Sequence, residues 1–382
     1  MTAVAPFRVA VPEGVLTDLR RRLDATRYPA ALPGAGWDYG TDDAYLRELV
    51  AYWRDGYDWR RAETRLNGFE HATTEIDGQR VHCLQARSPE PDALPLVLTH
   101  GWPGSIVEFL DVVRPLADPA AHGGDPADAF HVVAPSLPGY AFSGPTHDRG
   151  WDTARTGLAW AELMARLGYD RYVAQGGDWG AFVTIQLALA DGEHVAGIHV
   201  NMLAPNPGTQ DPATFSPEEQ AALAGFTRYL DAEGGYFRIQ STKPHTLGFG
   251  LDDSPAGLAA WIVEKFRAWS DCDGDVETVF TKDQLLDNVM LYWVTGTATS
   301  SVRYYYEFNE ALRAGRLPNP QVSVPMGYTV YPKEILRTSR RWAARDHNLV
   351  HYAEQPRGGH FAAMEQPALF VDDVRACFRG VR

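Results

Sequence analysis

The sequence is poor in cysteine: Cys83, Cys272 and Cys377 are scattered, and none forms a C-x-x-C pair. Neither a disulfide framework nor a zinc site is therefore expected. Long apolar runs are also missing, since none approaches the roughly 18 residues of a membrane span. The first residues lack the charged-then-apolar pattern of a signal peptide. We expect a cytoplasmic protein that binds no metal.

Positive charge is in deficit, because 35 Lys and Arg stand against 49 Asp and Glu and the net charge is −14. Such a charge disfavours nucleic acid and anionic membranes, so neither is an expected partner. It identifies neither a substrate nor an oligomeric state, and a homo-oligomer stays compatible with the sequence. The 382 residues, 45% of them hydrophobic, have ample capacity for a core in one large or two modest domains.

Residues 1–70 are predicted to be helical and irregular. Apolar residues recur at helical spacing between Val15 and Leu23, a second helix is predicted with Thr41 as its N-cap, and Asp58 is the predicted N-cap of a third. Helices with one apolar face need a partner. We therefore expect this extension to wrap the main body.

From residue 71 the pattern becomes that of an α/β protein. Two short strands flank Asp77-Gly78, which is the strongest short hairpin signal, and strands then alternate with helices. This alternation predicts a mostly parallel sheet. It lapses over residues 205–318, where helical apolar stripes predict a lid, and resumes afterwards. The predicted units are the extension, a first core part over 71–204, the lid, and a second core part over 319–382.

The stretch Arg171–Gly180 contains the centre of the predicted chemistry. An apolar strand enters it, glycines surround Asp178, and a helix predicted to be amphipathic leaves it from Ala181 to Ala190. A strand–turn–helix of this kind raises a nucleophile above a parallel sheet. Asp is ionised at neutral pH and can attack carbon without a base, which would form an alkyl ester. The alternative is a surface Gly-Asp turn.

Hydrolysis of such an ester needs a base for water and an acid to orient that base. His347, His351 and His360 lie near the C-terminus, where the base belongs, and His360 stands in a Gly-rich loop between a strand and a helix. We predict His360 as the base. The predicted acid is Glu334, which follows a strand, and its rival is Asp346.

The segment His100–Gly104 lies where a first loop over the sheet supplies a backbone N–H. The N–H groups of Trp102 and Trp179 are predicted to hold the oxyanion that forms when water attacks the ester. The bond between Trp102 and Pro103 is predicted to be cis. The side chains of Trp102 and Trp179 are expected to line the substrate site, together with Tyr304.

If the attack on carbon displaces an alkoxide, which is a poor leaving group, the departing oxygen also requires a proton donor. Tyrosine suits this role because its hydroxyl, with a reference pKa of about 10, stays protonated near neutral pH. The lid segment offers Tyr236 and the run Tyr304–Tyr306. Ordinary packing within the lid explains the same residues equally well.

Several motifs occur together and in order along nearly the whole chain: His100-Gly-Trp-Pro-Gly-Ser105, Pro135-Ser-Leu-Pro-Gly-Tyr140, Gly176-Gly-Asp-Trp-Gly180, Gln240-Ser-Thr-Lys-Pro244 and Arg357-Gly-Gly-His-Phe-Ala-Ala363. With them the sequence resembles the microsomal-type epoxide hydrolases of the α/β-hydrolase superfamily. The resemblance implies an α/β-hydrolase fold with a helical lid and the N-terminal extension of that family.

The resemblance also implies roles for individual residues. Asp178 matches the nucleophile, His360 the base, Glu334 the acid, and Tyr236 and Tyr305 the two lid tyrosines. Because three tyrosines are consecutive, Tyr304 remains an alternative to Tyr305.

We therefore expect a cofactor-independent epoxide hydrolase that converts a small-molecule epoxide to a vicinal diol. A haloalkane dehalogenase, which shares the aspartate chemistry, and a non-catalytic ligand-binding member of the fold are the alternatives. A serine esterase is disfavoured, since the sequence contains no G-x-S-x-G.

Overall fold

The computed structural model of the chain describes residues 3–317 and 321–382. The predicted boundary between the lid and the second core part, at residues 318 and 319, lies outside the described residues. Within them a single nine-stranded sheet forms the centre of the fold. Its strands are β1 (Ala5–Phe7), β2 (Glu70–Ile76), β3 (Gln79–Ala86), β4 (Leu94–Thr99), β5 (Phe130–Pro135), β6 (Tyr172–Gly176), β7 (Val195–Val200), β8 (Met326–Val330) and β9 (Leu349–Glu354).

The strand order is β1-β2-β3-β5-β4-β6-β7-β8-β9. The three pairings from β1 to β5 are antiparallel, and the remaining five are parallel. The predicted mostly parallel sheet is therefore confirmed. The predicted hairpin joins β2 to β3 through Asp77 and Gly78, which have φ of 50° and 74°. Central strands such as β4 and β6 are buried on both faces because helices cover both sides of the sheet.

Helices make up most of the rest of the chain. They are α1 (Glu13–Asp24), α2 (Asp43–Asp55), α3 (Trp59–Leu66), α4 (Val113–Ala117), α5 (Thr153–Arg166), α6 (Trp179–Ala190), α7 (Pro217–Arg228), α8 (Gly235–Thr242), α9 (Pro244–Asp253), α10 (Pro255–Trp269), α11 (Lys282–Thr295), α12 (Ala298–Arg313), α13 (Arg340–Asp346), α14 (Ala362–Glu365) and α15 (Pro367–Phe378). Helices α7 to α12 lie between β7 and β8 in the chain and form the lid. In the part of the chain that the structure describes, no helix is both long enough and apolar enough to cross a membrane.

The N-terminal extension differs from the prediction in two details. It contributes β1, which pairs antiparallel with β2 at the edge of the sheet, although helices and irregular segments were expected there and no strand. The predicted cap Thr41 is wrong, because the side chain of Asp42 caps α2 by accepting from the N–H of Tyr45 at 2.7 Å. The hydroxyl of Thr41 instead donates to the carbonyl of Ala260 in α10, which ties the extension to the lid.

Helix α6, which leaves the Asp178 turn, is not amphipathic as predicted. Nine of its twelve residues are buried, because the sheet, α5 and the lid surround it. Gly157 lets α5 approach so closely that a Cβ atom there would lie 2.8 Å from the backbone nitrogen of Leu187. On another side, Phe182 packs against Phe308 of α12. A helix that is apolar all round is the pattern of a fully covered element.

Candidate active site

The turn after β6 holds Asp178 in a strained backbone conformation. Strand β6 ends at Gly176 and α6 begins at Trp179. The angles of Asp178, φ 49° and ψ −128°, lie where side chains other than glycine rarely go. A Cβ atom on Gly176 would lie 2.1 Å from the carbonyl oxygen of Gly180, and one on Gly180 would lie 1.9 Å from that of Thr99. The glycines thus allow the tight bend that raises the carboxylate above the sheet.

The loop after β9 brings His360 to this carboxylate. Its Nε2 lies 3.4 Å from Oδ2 of Asp178, and its Nδ1–H donates to Oε1 of Glu334 at 2.7 Å. The side chain of Glu334, which follows β8, is fully buried. It also accepts from the N–H of Ile335 at 2.7 Å and from the side-chain amide of Asn201 at 3.4 Å. His360 is therefore held between two carboxylates.

The remaining candidates for base and acid are engaged elsewhere. Nε2 of His351 lies 2.8 Å from a carboxylate oxygen of Asp373. The carboxylate of Asp346, the rival acid, accepts from the guanidinium of Arg345 at 2.6 Å. His347 is the C-cap residue of α13, directly after Asp346.

The charge of His360 depends on its two neighbours. Burial alone would lower the pKa of His360, but the negative charges of Glu334 and Asp178 outweigh this effect and hold the pKa well above its ordinary value. The two carboxylates therefore favour the imidazolium form of His360 in the resting site. Loss of the charge on Asp178 would remove part of this support and lower the pKa of His360.

Two backbone N–H groups flank Asp178. That of Trp102 donates to Oδ1 of Asp178 at 2.7 Å, and the bond from Trp102 to Pro103 is cis, as predicted. A Cβ atom on Gly101 would lie 2.1 Å from the same Oδ1, so residue 101 leaves the space that the carboxylate occupies. Trp179 is the first residue of α6, where N–H groups have no acceptor within the helix.

Two lid tyrosines face Asp178 from above. Tyr236 of α8 and Tyr305 of α12 are buried, with their rings 5.8 Å apart and at 82° to each other. The hydroxyl of Tyr305 has no hydrogen-bond partner among the described residues, whereas that of Tyr236 lies 2.5 Å from the hydroxyl of Tyr229. Burial raises the pKa of Tyr236 and of Tyr305 well above the ordinary value, so both remain protonated donors.

The neighbouring Tyr304 points in another direction. Its hydroxyl donates to Thr156 of α5 at 2.9 Å, and it does not line the cavity that the other two tyrosines share. The expectation that Tyr304 lines the substrate site is therefore wrong. Trp102 does not line that cavity either, because its ring stacks beneath Tyr236 at 5.1 Å. The ring of Trp179 does line it, as expected.

Asp178 lines two cavities of very different size. The larger has a volume of about 330 Å³, and its lining is almost wholly apolar or aromatic. Besides Asp178 it is lined by Trp179, Phe182, Met202, Ala204, Phe226, Tyr229, Leu230, Tyr236, Phe237, Tyr305, Phe308, Leu312, Ile335 and Leu336. The smaller has a volume of about 20 Å³ and is lined by His360 and the loop after β4. Among the described residues, Asp178 alone lines both cavities.

Comparison with known proteins identifies the family. Residues 4–109 match the family "Epoxide hydrolase N terminus", and residues 95–250 match "alpha/beta hydrolase fold". Over 381 residues, 99% of this chain and 86% of the relative, the chain is 49% identical to the "Putative epoxide hydrolase" of Stigmatella aurantiaca. The chain belongs to the epoxide hydrolase family. Epoxide hydrolase 1 of Sus scrofa is 35% identical over 399 residues, which cover 98% of this chain and 88% of the relative.

Solved structures agree with this assignment. The juvenile hormone epoxide hydrolase of Bombyx mori superposes with a TM-score of 0.91 at 33% identity, covering 100% of this chain and 95% of the other. The epoxide hydrolase of Aspergillus niger has a TM-score of 0.87 at 31% identity, covering 100% and 97%. The predicted α/β-hydrolase fold and the predicted epoxide hydrolase activity are therefore confirmed.

Three residues of this epoxide hydrolase site escaped the sequence analysis. Tyr229 lies seven residues before Tyr236, a spacing that places both on one helical face and could have revealed it. Asn201 directly follows β7, at the carboxyl end of a parallel strand, where ligand sites occur. Glu108 lines the smaller cavity, and its only signal was its spacing from Ser105, which is typical of a helix cap.

Proposed function

We propose that this epoxide hydrolase forms a covalent ester on Asp178 and then hydrolyses that ester. The observation that carries the proposal is the position of Asp178 in the wall between two cavities. The carboxylate shares the larger cavity with Tyr236 and Tyr305, and the smaller one with His360. An epoxide on one side and a water molecule on the other would therefore reach the same carboxylate.

In the first step a carboxylate oxygen of Asp178 attacks an epoxide carbon from the side opposite the ring oxygen. The carbon–oxygen bond of the ring breaks, and the oxygen takes a proton from Tyr236 or Tyr305. The tyrosinate then takes up a proton again. In the net reaction of this step, that proton comes from the imidazolium of His360. The products of this step are a hydroxyalkyl ester and a neutral imidazole, so the ion pair of the resting site is consumed.

In the second step water attacks the carbonyl carbon of the ester. The neutral imidazole of His360 accepts a proton from the water, while Glu334 stabilises the imidazolium that forms. The N–H groups of Trp102 and Trp179 hold the negative charge of the tetrahedral intermediate. The bond between this carbon and the alkyl oxygen then breaks, that oxygen takes the proton from His360, and the diol leaves.

Tyr229 supports the direction of proton donation by Tyr236. The two hydroxyl oxygens are 2.5 Å apart, and both are enclosed by the lid. If Tyr229 donates to the oxygen of Tyr236, the proton of Tyr236 is directed to the substrate. Tyr229 also lines a groove of about 230 Å³ between the lid and the segment 332–337.

A haloalkane dehalogenase is not favoured, and the relatives agree with that view. Two indole N–H groups directed at a halide would suit dehalogenation. Only the indole of Trp179 lines the larger cavity in the described part of the chain, whereas Trp102 is stacked against Tyr236. A non-catalytic ligand-binding role is disfavoured by the close contacts of Asp178, His360 and Glu334.

The lining of the larger cavity suggests the class of substrate. Its near absence of polar groups favours an epoxide with an apolar body, such as an aryl or alicyclic one. We further propose that the enzyme acts in the cytoplasm. A screen of aryl, alicyclic and terminal epoxides, scored for the diol and its configuration, tests the substrate class, and cell fractionation tests the location.

The covalent step is tested by a single turnover in heavy-oxygen water. We expect the label in the carboxylate of Asp178, because water attacks the ester carbon, and an unlabelled diol. Label in the diol with an unlabelled carboxylate would mean that water opens the ring directly. Peptide mass spectrometry locates the label.

The His360→Gln variant provides a second test of the same proposal. Alkylation should proceed, because solvent can return the proton to the tyrosine in place of His360, and hydrolysis should stall, so the protein should gain the mass of one substrate molecule. The control Asp178→Ala should fold but gain no mass. A His360→Gln protein that stays unmodified under the same conditions would contradict the role of His360.

A further inference from the structure

A carboxylic acid that the proposed mechanism does not use lies in the smaller cavity. Glu108 lines this space together with Asp178 and His360. A volume of about 20 Å³ exceeds the roughly 10–15 Å³ that one water molecule requires, and it is too small for an organic substrate. The cavity thus has the size of the reacting water and contains the predicted base, the ester carbon and one additional acid.

The sequence places Glu108 there through a short turn after β4. Ser105 begins a 3₁₀ helix, Ile106–Phe109, and its side chain accepts from the N–H of Val107 at 3.2 Å. A Cβ atom on residue 104 would lie 1.6 Å from a carboxyl oxygen of Glu108. Only glycine at position 104 therefore leaves room for this side chain to turn inward.

The turn itself is anchored firmly from the lid. The side-chain amide of Asn288 donates to the carbonyl of Pro103 at 2.7 Å, and its oxygen accepts from the hydroxyl of Ser105 at 2.7 Å. The hydroxyl of Tyr292 donates to the carbonyl of Gly104 at 2.5 Å. These contacts fix the position of Glu108 relative to the nucleophile turn.

We propose that Glu108 binds the water molecule that hydrolyses the ester, by accepting its second hydrogen while His360 accepts the first. This inference rests on the proposed covalent ester of Asp178 and assigns a residue to its second step. Two acceptors orient the lone pair of the water at the ester carbon better than His360 alone.

The step balances with Glu108 as a hydrogen-bond acceptor. The water oxygen bonds to the carbonyl carbon of Asp178, and one water proton moves to Nε2 of His360. The other hydrogen stays on the oxygen and is held by Glu108. When the alkyl oxygen leaves with the proton from His360, the second hydrogen ionises from the new carboxylic acid and passes to His360, which restores the ion pair of the resting site.

The electrostatics of the site fit a role that begins only after the first step. Burial raises the pKa of Glu108 to about 8, the charge of Asp178 adds to the rise, and His360 opposes it. In the resting enzyme Glu108 is therefore mostly protonated and does not compete with Asp178. Ester formation removes the charges of both Asp178 and His360, and the charge on His360 returns when it accepts the water proton, which favours the carboxylate of Glu108 during ester hydrolysis.

Glu108 also has a structural role, which the test must separate from the proposed one. Glu108 stands three residues after Ser105, the N-cap of this 3₁₀ helix, which is the spacing of a capping box. Glutamine fills this position equally well, since Gln284 occupies it in the capping box of α11. The Glu108→Gln variant should therefore keep the turn and remove only the ability to become a carboxylate.

The experiment measures both steps separately in Glu108→Gln. Rapid mixing with an epoxide, followed by quenching and mass spectrometry, gives the rates at which ester forms and disappears. We expect ester formation within about twofold of wild type, because glutamine resembles the protonated resting acid. Ester hydrolysis should slow by about 10²-fold, the size of effect that a misplaced reactant can have. The control Glu219→Gln, in the capping box of α7, should leave both rates unchanged.

The outcomes distinguish a failure of the role of Glu108 from a failure of the covalent mechanism on which that role depends. Ester that forms and hydrolyses at the wild-type rates in Glu108→Gln would overturn the role of Glu108 alone. Loss of ester formation in that variant would also overturn it, since Glu108 would then serve assembly of the site. Absence of ester in both wild type and His360→Gln would instead overturn the covalent mechanism.

Discussion

The contact between Glu334 and His360 makes the most demanding prediction. In the Glu334→Gln variant the side chain keeps its shape and an oxygen that can accept from Nδ1 of His360, but loses its charge. Burial of His360 would then be opposed only by Asp178, so the pKa of His360 should fall. The imidazolium formed in the second step loses its stabilising partner, while attack on the epoxide does not need that partner.

The structure sets the expected size of the effect. Nδ1 and Oε1 are 2.7 Å apart, and both side chains are essentially inaccessible to solvent. Opposite unit charges about 4 Å apart attract by about 4 kcal/mol at an effective dielectric constant of about 20. Because glutamine retains the hydrogen bond, we expect ester hydrolysis to slow by about 10²–10⁴-fold, the range of general-base contributions.

The assay is the same two-step measurement, with folding followed by denaturant unfolding. Ester should accumulate in Glu334→Gln, whereas the matched control Asp346→Asn, which alters the rival acid, should turn over normally. Hydrolysis at the wild-type rate in Glu334→Gln would refute the reasoning, as would stalled hydrolysis in Asp346→Asn.

The sign of the pH effect on stability follows from the raised pKa of His360. Its pairing with Glu334 stabilises the fold fully below the unfolded pKa, about 6.5. This contribution is lost as pH rises through the folded value. The difference in unfolding free energy between wild type and Glu334→Gln should therefore be largest in mild acid and narrow in alkali. A difference that widens with pH would contradict this account.

Two further predictions concern Tyr305 in the lid and Asp373 in α15. Tyr305→Phe should slow ester formation by about 10-fold or more, because the proton donor is lost, whereas Tyr304→Phe should leave that rate within about twofold; equal rates in both variants would contradict the assignment. Burial would raise the pKa of Asp373, but hydrogen bonds with His199 and His351 outweigh it and hold that pKa below its ordinary value. Asp373→Asn should therefore lower the unfolding free energy by about 3 kcal/mol near neutral pH, and chemical denaturation should show this deficit shrinking as pH falls below about 4; a deficit independent of pH would count against it.

Features encoded by local chemistry were predictable from the sequence. The hairpin at Asp77-Gly78 needs two positive φ angles in succession, and these residue types tolerate them. The glycines on either side of Asp178 indicate a tight turn, because larger residues there would collide with neighbouring backbone. The choice of His360 over the other C-terminal histidines likewise rested on its local Gly-rich loop. In each case a few adjacent residues determine the outcome.

Features decided by distant packing were not predictable in the same way. Strand β1 has three residues and includes Pro6, and only pairing with β2, over 60 residues away, makes it a strand. From the sequence, a helix α6 with one apolar face could not be distinguished from a helix that is buried on all sides. The difference depends on how α5 and the lid pack against it. The choice between Tyr304 and Tyr305 depends on which side of α12 meets α5. For Glu108 the sequence offered only the spacing of a helix cap. The smaller cavity that Glu108 also lines exists only in the assembled fold.

The two cavities give a physical reason for the covalent intermediate that we propose. Asp178 lines both of them, so under this proposal a water molecule beside His360 has the carboxylate between itself and an epoxide beside Tyr236 and Tyr305. Direct attack by that water on the ring would require it to pass the nucleophile. Attack on an ester of Asp178 requires no movement, because the ester carbon borders the water cavity. The separation that keeps water from the epoxide is thus the same one that brings it to the ester.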